Sequence, residues 1–141
     1  MKAEQARIAA SQLEYRRAAE LFAEAATAEG MEAPLQWEYR NQQALMLAEY
    51  GREHKDNEAL EQAIGLYEKT VLSLAPKEDR PEDWATTQHH LGNALGVLGQ
   101  RHRAPRILQR AAMAFENALS VRNQDQAPLE WATSRDNLGN G

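Results

Sequence analysis

The chain has 141 residues and a formal net charge of −5, and 43% of its residues are hydrophobic and 26% charged. This balance is typical of a folded globular protein and excludes a disordered chain. The 25 Ala and 16 Leu far outnumber the 3 Ile, 3 Val and 5 Thr. That ratio argues against sheet-based folds, because β-branched residues favour strands whereas Ala and Leu favour helices.

Several functional classes are excluded by what the sequence lacks. There is no Cys, so disulfides, thiolate catalysis and Cys-bearing metal sites are ruled out. The first residues are too polar for a signal peptide, and no stretch approaches the roughly 18 apolar residues of a membrane helix. The acidic balance also differs from the basic excess of a general nucleic-acid binder. We therefore expect a cytoplasmic helical protein without membrane or nucleic-acid partners.

The first predicted helix covers residues 3–28. Small and apolar residues recur there at spacings of three and four, which places them on one face of a helix. The residues of this stripe are Ile8, Ser11, Tyr15, Ala18, Phe22 and Ala25. We expect one long helix that ends at Gly30.

Five further helices follow. They are predicted near residues 34–50, 57–74, 82–98, 105–121 and from 128 onward. Proline suits the first position of a helix, because its missing N–H has no partner there, and Asn57 is a candidate cap for the second of these helices. Gly51 and Gly99 follow apolar stripes, and glycine favours the left-handed cap that ends a helix.

An internal repeat organises these helices. Trp37, Trp84 and Trp131 lie 47 residues apart, and each follows a Pro by three residues, while Gly51 and Gly99 lie 48 apart. Each helix has one apolar seam, so antiparallel helix pairs have to stack on their neighbours, and this predicts an all-α solenoid of about six helices. The repeat divides the chain into a half repeat at 1–30, repeats at 31–79 and 80–126, and a half repeat at 127–141.

The three tryptophans are interpreted as core residues. A large apolar side chain at a fixed phase of a repeat is more often buried than ligand-binding. We expect Trp84→Ala to cost roughly 3–5 kcal/mol of stability.

The order of small and large residues resembles that of the tetratricopeptide repeat (TPR) family. The residues that carry the resemblance are His90, Leu91, Gly92, Asn93, Ala94, Gly99, Ala111, Phe115, Ala118 and Leu119 in one unit, and Ala44, Leu45, Gly51, Ala63, Tyr67, Thr70 and Val71 in the unit before it. The period is 47 rather than 34 residues, which longer helices explain, and Asn123 stands where the family has a closing Pro.

The resemblance implies a protein that binds proteins. In the family the first helix of each pair lines a concave groove that holds an extended peptide or a partner helix. The positions that this groove would use are Glu38, Asn41, Leu45, Glu49, Thr86, His89, Asn93, Val97, Thr133, Asp136 and Asn140. Their amides, hydroxyls and carboxylates suit hydrogen bonds to a peptide backbone and to basic side chains. No Lys or Arg falls on this face, so capture of a terminal carboxylate is not expected.

Other functions have weaker support in the residues. His89 and His90 are adjacent, so on a helix they point about 100° apart, and we expect neither a metal nor another cofactor. Motifs of nucleophilic or metal-dependent catalysis are absent, so we expect no enzyme. Four basic residues, Arg101, Arg103, Arg106 and Arg110, form a cluster that fits a solvated surface or an acidic partner.

The last predicted helix leaves a second possibility open. It carries Trp131 and Leu138, with no second helix in this sequence to cover them. Solenoid ends usually have a polar outer face, so these two residues predict either self-association with another copy or a sequence that is a piece of a longer array. A peptide-binding scaffold and a self-assembling element therefore remain as alternatives.

Overall fold

A computed structural model of the protein describes residues 1–11 and 13–122. Within these residues every regular element is helical, so the all-α prediction is confirmed. The chain divides into two compact units, residues 1–74 and residues 75–141.

The first unit contains four helical rods that pack in chain order. They are α1 (Lys2–Ser11), α2 (Tyr15–Ala26), α3 (Ala33–Glu53) and α4 (Asn57–Leu66). The fourth rod continues through a π-helical turn, Tyr67–Val71, into α5 (Leu72–Leu74), and so spans the predicted range 57–74. Each of these rods packs against the next one along the chain.

The second unit contains, within the described residues, one helix pair. It consists of α6 (Pro81–His102) and α7 (Pro105–Val121), which pack along each other. Pro34, Pro81 and Pro105 all lie in the first turn of their helices, as predicted. The predicted range 105–121 is confirmed, whereas α3 and α6 extend three and four residues beyond their predicted ends at 50 and 98.

The prediction of a single helix over 3–28 is wrong. The chain turns between Ser11 and Tyr15, where Leu13 adopts a left-handed φ of 62°, and α1 then packs against α2. Ala3, Ala6 and Ala9 are buried on the inner side of α1. Residues 1–30 therefore contain a pair of helices instead of the single helix on which the half-repeat division rested.

One turn geometry joins the three helix pairs of the described residues. In each turn a backbone N–H donates to the carbonyl five residues earlier: Glu14 to Ala9 at 2.9 Å, Asp56 to Gly51 at 3.0 Å and Ala104 to Gly99 at 2.9 Å. The residue before each donor is left-handed, namely Leu13 (φ 62°), Lys55 (φ 53°) and Arg103 (φ 49°). This bond pattern with a left-handed residue is the Schellman ending of a helix.

The glycines act differently from the prediction. Gly51 and Gly99 lie inside α3 and α6, and the left-handed caps fall on Lys55 and Arg103. A Cβ on Gly51 would lie 2.8 Å from Leu60 Cγ, and one on Gly99 would lie 2.8 Å from Leu108 Cδ2. Both glycines therefore permit close approach of the second helix of their pair.

The cap of α4 also differs from the prediction, by one position. The N-cap of α4 is Asp56, not Asn57, and a carboxylate oxygen of Asp56 accepts a hydrogen bond from the backbone N–H of Ala59 at 3.1 Å. Asp56 and Ala104 occupy the same position of the repeated turn, but only Asp56 has a side chain that can cap a helix.

Buried aromatic rings hold each helix pair together. Tyr67 and Phe115 lie 48 residues apart and are 0% and 3% exposed. In the first unit Phe22 joins a core cluster of small and aliphatic residues, which comprises Ala6, Ala9, Ala18, Ala19, Leu21, Phe22 and Met46. The aromatic residue of the repeat is thus in the core of each unit.

The tryptophans occupy a different position from the one predicted. Trp37 and Trp84 are only half-buried. The ammonium group of Lys77 lies 5.1 Å from the centre of the Trp84 ring, which is a cation–π contact. Trp84 thus anchors the segment before α6 instead of filling the core, and the loss on Trp84→Ala should fall below the 3–5 kcal/mol expected for a fully buried ring. Trp131 lies outside the described residues.

Candidate interaction surface

The predicted groove residues of α3 fall into two groups. Glu38 is exposed and Glu49 is partly exposed, so both carboxylates are accessible to a partner. Leu45 packs against the core cluster of the first unit, and Asn41 is only 4% exposed. As a surface for ligands, this face of α3 is therefore acidic, because Asn41 is buried and Leu45 is half-buried against the core.

Among the predicted groove residues of α6, the accessible ones lie toward its C-terminal end. Asn93 is exposed and Val97 is half-buried, whereas Thr86 and His89 are half-buried and contact other residues of their unit. The His89 ring meets the Phe115 ring edge-on with 5.7 Å between ring centres. The face of α6 thus presents one exposed amide and a histidine whose ring packs against α7.

A buried arginine lies beside this face, and the sequence interpretation missed it. Arg122 follows α7 directly and is 6% exposed. Its Nη2 donates a hydrogen bond to Thr86 Oγ1 at 2.5 Å, and its Nε lies 3.8 Å from Glu82 Oε2. The groove positions of α6 themselves hold no Lys or Arg, but this basic group reaches Thr86 from the end of α7. The contact spans 36 residues along the chain, so helical spacing alone gives no sign of it.

Arg122 joins the two helices at the open end of the pair formed by α6 and α7. The turn at Arg103 closes one end of the pair, and Arg122 joins the last residue of α7 to the first turns of α6 at the other end. A buried charge needs hydrogen bonds and a counter-charge, and Thr86 and Glu82 supply both. The Thr86 hydroxyl is therefore an acceptor for Arg122 and is only partly available to a ligand.

His90 is neutral in this environment at ordinary pH. Burial lowers the pKa of His90 to about 4, and the neighbouring His89 and Arg122 act in the same direction. A neutral imidazole avoids placing a second positive charge next to the Arg122 guanidinium. His90 therefore contributes a hydrogen-bonding group and packing surface, not charge.

The acidic end of the α3 face has a defined geometry. Glu49 pairs with Arg52, with 2.5 Å between the carboxylate oxygen and Nη2. Burial raises the pKa of the Tyr67 hydroxyl, and the negative charge of Glu49 raises it further. The Glu49 side chain thus lies near a buried phenol and pairs with Arg52 on the surface.

Some of the predicted site lies outside the described residues. The residues concerned are Thr133, Asp136 and Asn140 of the predicted groove, and Trp131 and Leu138 of the predicted self-association site. In the described residues no group of three or more His, Asp or Glu side chains is arranged to hold a metal ion. Among the same residues no helix has the length and apolar character needed to cross a membrane.

Comparison of the chain with family models, curated proteins and solved structures finds no match. The assignment to the TPR family therefore stays a prediction from the residues and their spacing.

Proposed function

We propose that this protein is a non-catalytic, TPR-like scaffold whose first helices bind an extended peptide or a partner helix. The observation that carries the proposal is the turn shared by the three helix pairs within residues 1–11 and 13–122, with its left-handed residue and its N–H to carbonyl bond across five residues. A repeated hairpin of this kind is the building unit of helical solenoids. In the proposed solenoid the helix pairs stack, and α3 and α6 line the binding face.

The chemistry of the exposed groups supports a peptide ligand. Asn93 offers an amide that can both donate to and accept from a peptide backbone. Glu38 and Glu49 offer carboxylates to Lys or Arg side chains of the ligand. We therefore propose a ligand that is extended and carries basic residues.

The test is selection from a displayed library of random 12-residue peptides, followed by calorimetric titration of the selected peptides. Asn93→Ala removes the side-chain amide, and the loss of one hydrogen bond, on the order of 1 kcal/mol, should weaken binding about fivefold. The matched control is Asn117→Ala, because Asn117 is an exposed amide on α7. Circular dichroism and urea unfolding check that both variants keep the fold.

Glu38→Ala provides an independent arm. Its matched control is Glu20→Ala, which removes an exposed carboxylate from α2. Basic peptides should lose affinity with Glu38→Ala and keep it with Glu20→Ala. The proposal is wrong if the selected peptides bind both members of each pair equally well, or if the library yields no ligand that survives competition by free peptide.

A further inference from the structure

The pair formed by α6 and α7 carries a basic face. Between Asp83 and Glu116 the sequence contains four Arg and no Asp or Glu. Arg103, Arg106 and Arg110 are exposed at the turn and on the outer side of α7. We use the term basic face for these three residues. A single sign of charge over two helical turns attracts a surface of opposite sign.

The equivalent surface of the pair formed by α3 and α4 carries three glutamates. The shared turn fixes the alignment of the two pairs at an offset of 48, from Lys55 to Arg103. At this offset Glu58 corresponds to Arg106, whereas the neutral Gln62 corresponds to Arg110 and the basic Lys55 to Arg103. Glu58, Glu61 and Glu68 are exposed along 57–74, and we use the term acidic face for them.

The two faces also differ in shape at one equivalent position. Met113 is 62% exposed and lies on the same side of α7 as Arg106 and Arg110, seven and three residues away. Its counterpart is Gly65, where a Cβ would find no atom within 4 Å. An exposed apolar side chain on one face thus corresponds to open space on the other.

We infer that the basic face of one copy docks on the acidic face of a second copy, with Met113 seated over Gly65. A second copy is the partner that these observations favour, because the chain itself provides both complementary surfaces on helices of the same kind. Residues 1–74 contain 13 acidic and 8 basic residues, so the acidic face lies in a negative unit. This contact is separate from the predicted self-association site at Trp131 and Leu138.

The docking is governed by exposed charges, and this sets its behaviour in salt. Interactions between exposed charges are screened over about 10 Å at 0.1 M ionic strength and over about 3 Å at 1 M. Association should therefore be concentration-dependent at about 20 mM NaCl and absent at about 500 mM NaCl. A contact formed mainly by apolar surface would not weaken with salt in this way.

The first measurement is the mass of the full chain by light scattering across a wide concentration range. In the low-salt buffer the mass should rise above the 15.9 kDa of one copy, and in the high-salt buffer it should return to 15.9 kDa. A mass of 15.9 kDa at every concentration in low salt would overturn the inference. An increase that persists in high salt would overturn it as well.

A charge swap identifies the faces. Arg106→Glu with Arg110→Glu gives a copy with two acidic faces, and Glu58→Arg with Glu61→Arg gives a copy with two basic faces. Each double variant alone should dissociate at least tenfold more readily than the original chain. An equimolar mixture of the two should associate again, because each supplies the face that the other lacks.

The control is Arg7→Glu with Arg17→Glu, which changes the net charge as much as the α7 variant but lies on α1 and α2. This control should self-associate like the original chain. Association that survives in both face variants, or a mixture that stays monomeric, would contradict the inference. Binding of a short DNA duplex through Arg106 and Arg110, with the chain itself monomeric, would assign the basic face to nucleic acid and also overturn it.

Discussion

Two glycines four residues apart in α6 allow a sharp test of how α6 packs against α7. A Cβ on Gly92 would lie 2.7, 2.8 and 2.9 Å from three atoms of the Phe115 ring. A Cβ on Gly96 would find nothing within 4 Å. The same substitution, Gly to Ala in one helix, therefore changes backbone propensity at both positions and packing at only one.

The expected energies have opposite signs. Replacing Gly by Ala inside a helix stabilises it by about 1 kcal/mol. At Gly96 this gain is unopposed. At Gly92 the methyl group meets a ring that is 3% exposed and cannot move into solvent. Overpacking of this kind costs typically 1–3 kcal/mol, so Gly92→Ala should be destabilised by about 1 kcal/mol, and the two variants should differ by about 2 kcal/mol.

The assay is equilibrium unfolding in urea, followed by far-ultraviolet circular dichroism. The midpoint should move up for Gly96→Ala and down for Gly92→Ala, with the slope unchanged if both unfold between the same two states. If Gly92→Ala is stabilised as much as Gly96→Ala, the ring of Phe115 does not lie against Gly92, and α6 does not pack on α7 through this contact.

Three further predictions use the same unfolding measurement. Leu13→Gly should raise the free energy of unfolding by about 1 kcal/mol, because a left-handed φ strains any residue with a Cβ. A fall of about 1 kcal/mol would instead support one continuous helix over residues 2–26. Gly51→Ala should destabilise and Gly65→Ala should stabilise, because a Cβ on Gly51 meets the Asp56 carbonyl oxygen at 2.8 Å and one on Gly65 meets nothing within 4 Å. Between pH 6.5 and 4 the unfolded chain binds a proton that the half-buried His90 does not, so the free energy of unfolding falls as the pH falls, by up to about 3 kcal/mol. His90→Gln should remove that part of the fall. If the free energies of unfolding of the variant and the original chain differ by the same amount at neutral pH and at about pH 4, the His90 pKa is not lowered.

The helices that the sequence located well are those with both a periodic stripe and a boundary signal. Asn57 begins the helix over 57–74, one residue after its cap Asp56, and Pro105 opens the helix over 105–121. The turn at Leu13 has no comparable signal. It lacks Gly and Pro, and the stripe continues through Ser11 to Tyr15, so local propensity predicts one helix. The packing of α1 on α2 overrides that propensity.

The ends of α3 and α6 show a related difficulty. Glycine near the end of an apolar stripe usually marks the left-handed cap, but Gly51 and Gly99 are needed for close helix contact with Leu60 and Leu108. One residue type serves two purposes, and composition alone does not distinguish them. The spacing between the glycine and its leucine is nine residues in both pairs, and this constant spacing is the feature of the sequence that indicates a packing contact.

The candidate surface was less predictable than the fold because it depends on contacts distant in sequence. Helical spacing correctly places Glu38 and Asn93 on exposed positions. It gives no information on Asn41, whose burial depends on its packing environment, or on Arg122, which reaches Thr86 from the end of another helix. Periodicity assigns a face to each helix, but only the packed structure shows which parts of a face are covered.

Comparison of the two longer helix pairs within the chain separates scaffold from recognition. The turn, the contact of Gly with Leu and the buried aromatic residue are shared, and these determine how the second helix packs on the first. The exposed positions differ in charge and size, as Glu58 and Arg106 or Gly65 and Met113 illustrate. Packing constrains the first group of positions and leaves the second free, so two helix pairs of one architecture can present different surfaces. Any binding specificity of this protein should therefore follow the exposed side chains, and exchanging Glu58 with its counterpart Arg106 should transfer a binding preference without altering the fold.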